Sequence, residues 1–119
     1  MLKVDRGQFC SNGLNAYEDS PQPIDYSATI SAPHMHAYCL EWLKDKLVPG
    51  AKVLDVGCGS GYLVAAFYEM VKDPSAKHPS VVGIEHIQQL AELSIKNLSK
   101  SYKPELESNA IKIVFGDGR

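Results

Sequence analysis

No apolar run in this 119-residue chain is long enough to cross a bilayer, because charge or glycine interrupts each one first. The N-terminus also lacks the basic and apolar regions of a secretory signal, so we expect a cytoplasmic protein with no membrane partner. A basic cluster is missing too. Twelve Lys and Arg against fourteen Asp and Glu give a net charge of -2, which argues against a nucleic-acid partner. Only three cysteines occur, Cys10, Cys39 and Cys58, with neither paired spacing nor a nearby histidine set. We therefore expect no disulfide framework and no metal, with each cysteine a small buried thiol. Internal repeats and low-complexity segments are likewise absent.

What is present is 45% hydrophobic residues, sufficient for one modest core and hence one domain or part of one. Residues 1 to 32 carry turn signals (Ser11-Asn12-Gly13, Asp19-Ser20-Pro21, Pro23) without periodicity, which predicts an irregular N-terminal arm. From residue 33 the pattern becomes regular. Met35, Tyr38, Cys39, Trp42, Leu43 and Leu47 fall at helical spacing between Pro33 and Pro49-Gly50, predicting an amphipathic helix whose apolar stripe belongs to the core. Lys52 to Val56 reads as a buried strand, Tyr62 to Val71 as a helix, and Asp73 to Pro79, with His78, as a loop. A second strand over Val81 to Glu85, a helix from Ile87 to Leu98 and a third strand over Ile111 to Phe115 follow. Such alternation predicts an α/β, Rossmann-like, doubly wound parallel sheet. Only three strands are present, and the first should have neighbours on its other side, so residues 33 to 119 are expected to be a C-terminally incomplete cofactor domain. A fragment of this kind is expected to be inactive alone and to cover its open edge by self-association, the full-length form being monomeric.

The first strand runs into Asp55-Val56-Gly57-Cys58-Gly59-Ser60-Gly61. Alternating glycines there let the backbone turn sharply and let a ligand approach without Cβ atoms in the way. The dinucleotide fingerprint would need glycine at position 62, where Tyr62 stands, so that reading fails. Charge then discriminates further. Asp55 suits a ligand bearing ammonium and sulfonium groups and no phosphate; Glu85 can accept from two ribose hydroxyls; Asp117 can accept from an adenine amino group. All three acids end consecutive strands at their carboxyl ends, where ligands bind in open α/β sheets. The combination resembles the class I methyltransferase motifs, which implies S-adenosyl-L-methionine as cofactor and S-adenosyl-L-homocysteine as product.

A closer resemblance rests on Tyr17-Glu18-Asp19-Ser20-Pro21-Gln22, on Ala28 through Ala37 (Ala-Thr-Ile-Ser-Ala-Pro-His-Met-His-Ala), on Leu54 through Leu63, on Gly83-Ile84-Glu85-His86-Ile87 and on Gly116-Asp117-Gly118-Arg119. These segments resemble the protein-L-isoaspartate O-methyltransferases, and Val4-Asp5-Arg6 with Phe9 is similar to that family's preceding region. Cys58 departs from a usual serine or glycine, and Glu85 from the aspartate of animal-type members; both changes keep the chemistry. The resemblance implies methyl transfer to the α-carboxylate of isoaspartyl residues in damaged peptides and proteins, a repair reaction. Its acceptor is already an anion at neutral pH and calls for positioning more than for a strong base. By itself Ser31 reads as a helix cap ahead of Pro33. The resemblance makes it the acceptor contact and the catalytic candidate, with Ala28, Thr29, Ile30, Ser31 and His36 on the cofactor side. Gly57, Gly59, Ser60, Gly61, Gly118 and, bordering the adenine, His86 complete the expected cofactor set. A class I methyltransferase with another acceptor, or a non-catalytic cofactor-binding fragment, are the rival readings.

Overall fold

A computed structural model describes residues 4–10, 17, 19–24, 29–73 and 80–117. Ala28, Gly118, the Ser11-Asn12-Gly13 turn and the loop holding His78 lie outside the described residues.

The arm is not wholly irregular. It contains a 3-10 turn at Arg6–Gln8 and two short antiparallel strands, β1 (Gln22–Pro23) and β2 (Thr29–Ile30), paired Gln22 to Ile30 and Pro23 to Thr29. Helix α1 (Pro33–Leu43) follows. Pro33 sits in its first turn, where the missing N–H has no intrahelical partner to lose. The N-cap position is Ala32, which has no side chain able to cap, and Asp19 of the arm supplies that function by accepting from the His34 N–H at 2.9 Å. The cap reading of Ser31 is thereby overturned.

Three parallel strands form the sheet: β3 (Val53–Val56), β4 (Val81–Glu85) and β5 (Ile111–Phe115), in the spatial order β3-β4-β5. Helix α2 (Tyr62–Val71) joins the first two strands and α3 (Gln88–Glu107) the last two. The sheet belongs to an α/β fold. Parallel register sets Asp55 beside Gly83 and Glu85 beside Phe115. The three strands therefore end together and present their terminal side chains at one edge. The helices α2 and α3 pack on each other and on the sheet, burying Val64, Ala65, Val71, Val81, Leu90, Leu98 and Ile111. Removing such side chains from water is the main stabilising term, worth about 1.5–3 kcal/mol for each large one.

Three sequence readings need correction here. Most of the stripe is not core: Trp42 is 82% exposed and Met35, Tyr38 and Leu43 are also exposed, while Leu47, just past α1, is buried and His36 is the buried residue of the helix itself. Helical spacing identifies a stripe without saying which face the sheet will receive, and α1 turns His36 inward. Nor are all three cysteines buried. Cys58 is, packed beneath the turn after β3, but Cys10 and Cys39 are only partly covered. The third helix also runs nine residues past Leu98, with a kink at Tyr102 that lets Pro104 occupy the first turn of its second segment.

Candidate cofactor site

The turn after β3 is built on glycine. Gly57, Gly59 and Gly61 have φ of 78°, 56° and 95°, a region that side-chain-bearing residues enter only with strain. The Gly57 N–H donates to the Ile84 carbonyl at 2.7 Å and the Gly61 N–H to the Cys58 carbonyl at 3.0 Å, so the turn is stapled to β4 and closed on itself. A Cβ at Gly57 would meet nothing within 4 Å, whereas one at Gly61 would press on Ser94 and Leu98 of α3. The two glycines do different work: one leaves open space over the turn, and the other lets α2 and α3 approach.

Glu85 holds the turn from the next strand. One carboxylate oxygen accepts from the Gly59 N–H and the other from the Ile87 N–H, each at 3.0 Å. Each oxygen keeps a lone pair for a ligand hydroxyl. The Glu85 side chain is buried, while its neighbour His86 is exposed, with Nδ1 3.3 Å from the same carboxylate. Asp117 follows the end of β5 and is exposed.

Beside the turn lies a cavity of about 210 Å³, whose lining includes Ile30, Ser31, His36, Asp55, Gly57, Gly59 and Ser60. Seven of the residues expected from sequence thus meet at one opening. Glu85, His86, Asp117 and Gly61 are not in that lining; Thr29 contributes backbone to β2, and Ala28 and Gly118 are outside the described residues. The lining also contains residues the sequence reading did not assign to the site, among them Ile24, Met35, Cys39, Cys58, Tyr62 and Leu63. The sequence reading gives Tyr62 as the residue that breaks a dinucleotide motif, as the start of a helix and as part of a resembling segment, with no role in the site. An aromatic ring directly after the last glycine of the turn was the signal that could have found it.

The electrostatics of the lining are unusual. Burial, and then the Glu85 carboxylate, push the Asp55 carboxyl up to about 6. A buried carboxylate beside a second acid is a site that a cation relieves and a phosphate aggravates. Burial, reinforced by the Arg6 guanidinium, pulls His36 down to about 4, so its ring is neutral at physiological pH. Two buried polar atoms, His36 Nδ1 and Ser60 Oγ, have no hydrogen-bond partner among the described residues. Both belong to residues of the cavity lining, and unpaired polar atoms in such places are partners for a ligand. The residues present therefore fit a cofactor with a cationic end, hydroxyls and polar heteroatoms. Among the described residues no group of three or more His, Cys, Asp and Glu side chains could hold a metal ion, and no helix is long and apolar enough to cross a membrane.

Comparison with known proteins agrees with this chemistry. The family model for protein-L-isoaspartate (D-aspartate) O-methyltransferase matches residues 1–119. A protein-L-isoaspartate O-methyltransferase of Caenorhabditis elegans is 51% identical over 119 residues, covering 100% of this chain and 50% of the relative. Protein-L-isoaspartate O-methyltransferase 2 of Arabidopsis thaliana is 49% identical over 120 residues, covering 100% of this chain and 38% of the relative. A Plasmodium falciparum protein-L-isoaspartate O-methyltransferase crystallised with S-adenosyl-L-homocysteine superposes with a TM-score of 0.87 at 35% identity, over 97% of this chain and 52% of its own. The chain spans about half the length, or less, of these relatives. With the family model matched from end to end, the chain belongs to the protein-L-isoaspartate (D-aspartate) O-methyltransferase family.

Proposed function

We propose that the chain forms the S-adenosyl-L-methionine-binding half of an enzyme that methylates the α-carboxylate of isoaspartyl residues in damaged proteins. The observation that carries the reading is the meeting of Ser31, His36, Asp55 and Ser60 around one cavity beside the glycine turn. When bound, the cofactor supplies an electrophilic methyl group on a sulfonium centre. Asp55 would balance its cationic end, Glu85 would accept from its ribose hydroxyls, and His36 Nδ1 and Ser60 Oγ would gain the hydrogen-bond partners they lack. Asp117, one strand further along, would reach the adenine; Gly118 and His86 are kept as cofactor residues on the family resemblance.

Ser31 stands exposed at the rim of the same cavity, and its hydroxyl is available because Asp19 serves the α1 terminus. A hydroxyl there can donate to an acceptor carboxylate and orient it, which suits a reaction whose nucleophile is already ionised. Ile30 would line the cofactor side of that rim; Ala28 and Thr29 are kept as cofactor residues on the family resemblance. The partners are isoaspartyl peptides, and the location is the cytoplasm.

The test uses the full-length protein, labelled S-adenosyl-L-methionine, and two peptides differing only in one isoaspartyl or aspartyl residue. Label in the isoaspartyl peptide alone is expected. Equal labelling would instead assign the chain to a class I methyltransferase with another acceptor.

A further inference from the structure

Arg6 is a charged residue only 4% exposed, placed in the 3-10 turn far from the cavity in sequence. Its guanidinium donates from Nη1 to the Ser31 carbonyl at 2.7 Å and from Nη2 to the Ser20 carbonyl at 3.2 Å. A guanidinium covered from water and bonded to two backbone carbonyls from separate segments ties those segments together. What the fork does supply is geometry, because planar, preset donors fix two acceptors relative to each other. One acceptor is the backbone of the residue whose hydroxyl we place against the substrate.

The surroundings fit that purpose. Phe9, three residues on, meets the Tyr62 ring edge-on at 5.6 Å, and Lys100 of α3 donates to the Gln8 carbonyl at 3.1 Å, so the turn carrying Arg6 is anchored on α2 and α3. Asp19, next to Ser20, holds the start of α1. Arg6 thus ties the backbone of Ser31 to that of Ser20, the neighbour of the residue that holds the start of α1.

We propose that Arg6 is a positioning residue for the acceptor, acting through the Ser31 backbone to hold the Ser31 hydroxyl at the cavity rim. The proposal rests on the reading of Ser31 as the acceptor contact. Lysine retains the charge but is a point donor and cannot hold both carbonyls in one plane.

The experiment compares Arg6→Lys, Ser31→Ala and the double variant in the full-length protein, measuring melting temperature, affinity for S-adenosyl-L-homocysteine, and kcat and KM for an isoaspartyl peptide. For Arg6→Lys the expected result is a rise in peptide KM of about tenfold, with kcat and S-adenosyl-L-homocysteine affinity changed less than about threefold. In the Ser31→Ala background the same change should add little, because the group it positions is gone. Unchanged KM in Arg6→Lys, fully additive losses in the double variant, or a variant that does not fold would each overturn the proposal. A wild-type protein that labels no isoaspartyl peptide refutes the functional reading itself, and the wild-type arm alone reveals that case.

Discussion

The imidazole of His36 stacks on the ring of Tyr62, with centroids 4.7 Å apart and planes 26° from parallel. The pair joins the first turns of α1 to the start of α2, and Phe9 of the arm meets the far edge of the same tyrosine. Arm, helix and cofactor turn therefore share one aromatic post, from which His36 presents an unpartnered Nδ1.

Replacing Tyr62 by leucine keeps an apolar side chain but removes both ring contacts. The expected loss is about 1–3 kcal/mol of unfolding free energy, the sum of two aromatic pairs. Urea denaturation measures it; a loss below about 0.5 kcal/mol would mean the post is incidental.

His36 also makes stability depend on pH. Its folded pKa of about 4 lies below the ordinary 6.5, so the unfolded chain takes up a proton first and stability is lost as pH falls from 6.5 towards 4. Asp55 acts with the opposite sign: its folded pKa of about 6 lies above the ordinary 3.8, so stability falls as pH rises between those values. His36→Phe keeps a ring on Tyr62 and removes only the histidine contribution. Denaturation midpoints at pH 7, 6, 5 and 4 should show wild type losing ground to the variant as pH falls, and parallel curves would contradict the assigned cause.

The two outer glycines of the turn should fail differently. Gly57→Ala meets open space, so its cost is the strain of positive φ, about 1–2 kcal/mol, together with a methyl group intruding on the ligand's approach. Gly61→Ala adds contacts of 3.2 Å with Ser94 and 3.3 Å with Leu98, roughly 1–3 kcal/mol beyond the strain. Thermal melts and cofactor titrations should show Gly57→Ala losing more affinity than stability and Gly61→Ala the reverse.

Local chemistry explains what the sequence could show. Positive φ needs glycine and strand ends collect ligands, so Gly57, Gly59, Gly61, Asp55 and Glu85 stood out without any tertiary information. The α1 stripe misled because periodicity is silent about which partner a face meets; Trp42 and His36 share a helix, yet the indole is exposed and the imidazole buried. Long-range pairings left no periodic trace. Arg6 with Ser31, Asp19 with His34 and His36 with Tyr62 join residues 25, 15 and 26 positions apart; the first two depend on how the arm folds back and the third on how α1 meets α2.

Asp55 carries the central claim, that the cavity beside the turn takes a cationic cofactor. S-adenosyl-L-methionine should be titrated calorimetrically into full-length wild type and Asp55→Asn at pH 5 and pH 7. A cation favours the ionised carboxylate, so wild-type affinity should weaken by about tenfold at pH 5, below the folded pKa of about 6. Asp55→Asn should bind more weakly at pH 7 and lose most of that pH dependence. Equal affinities in the two proteins, with the same change between the two pH values, would contradict the account.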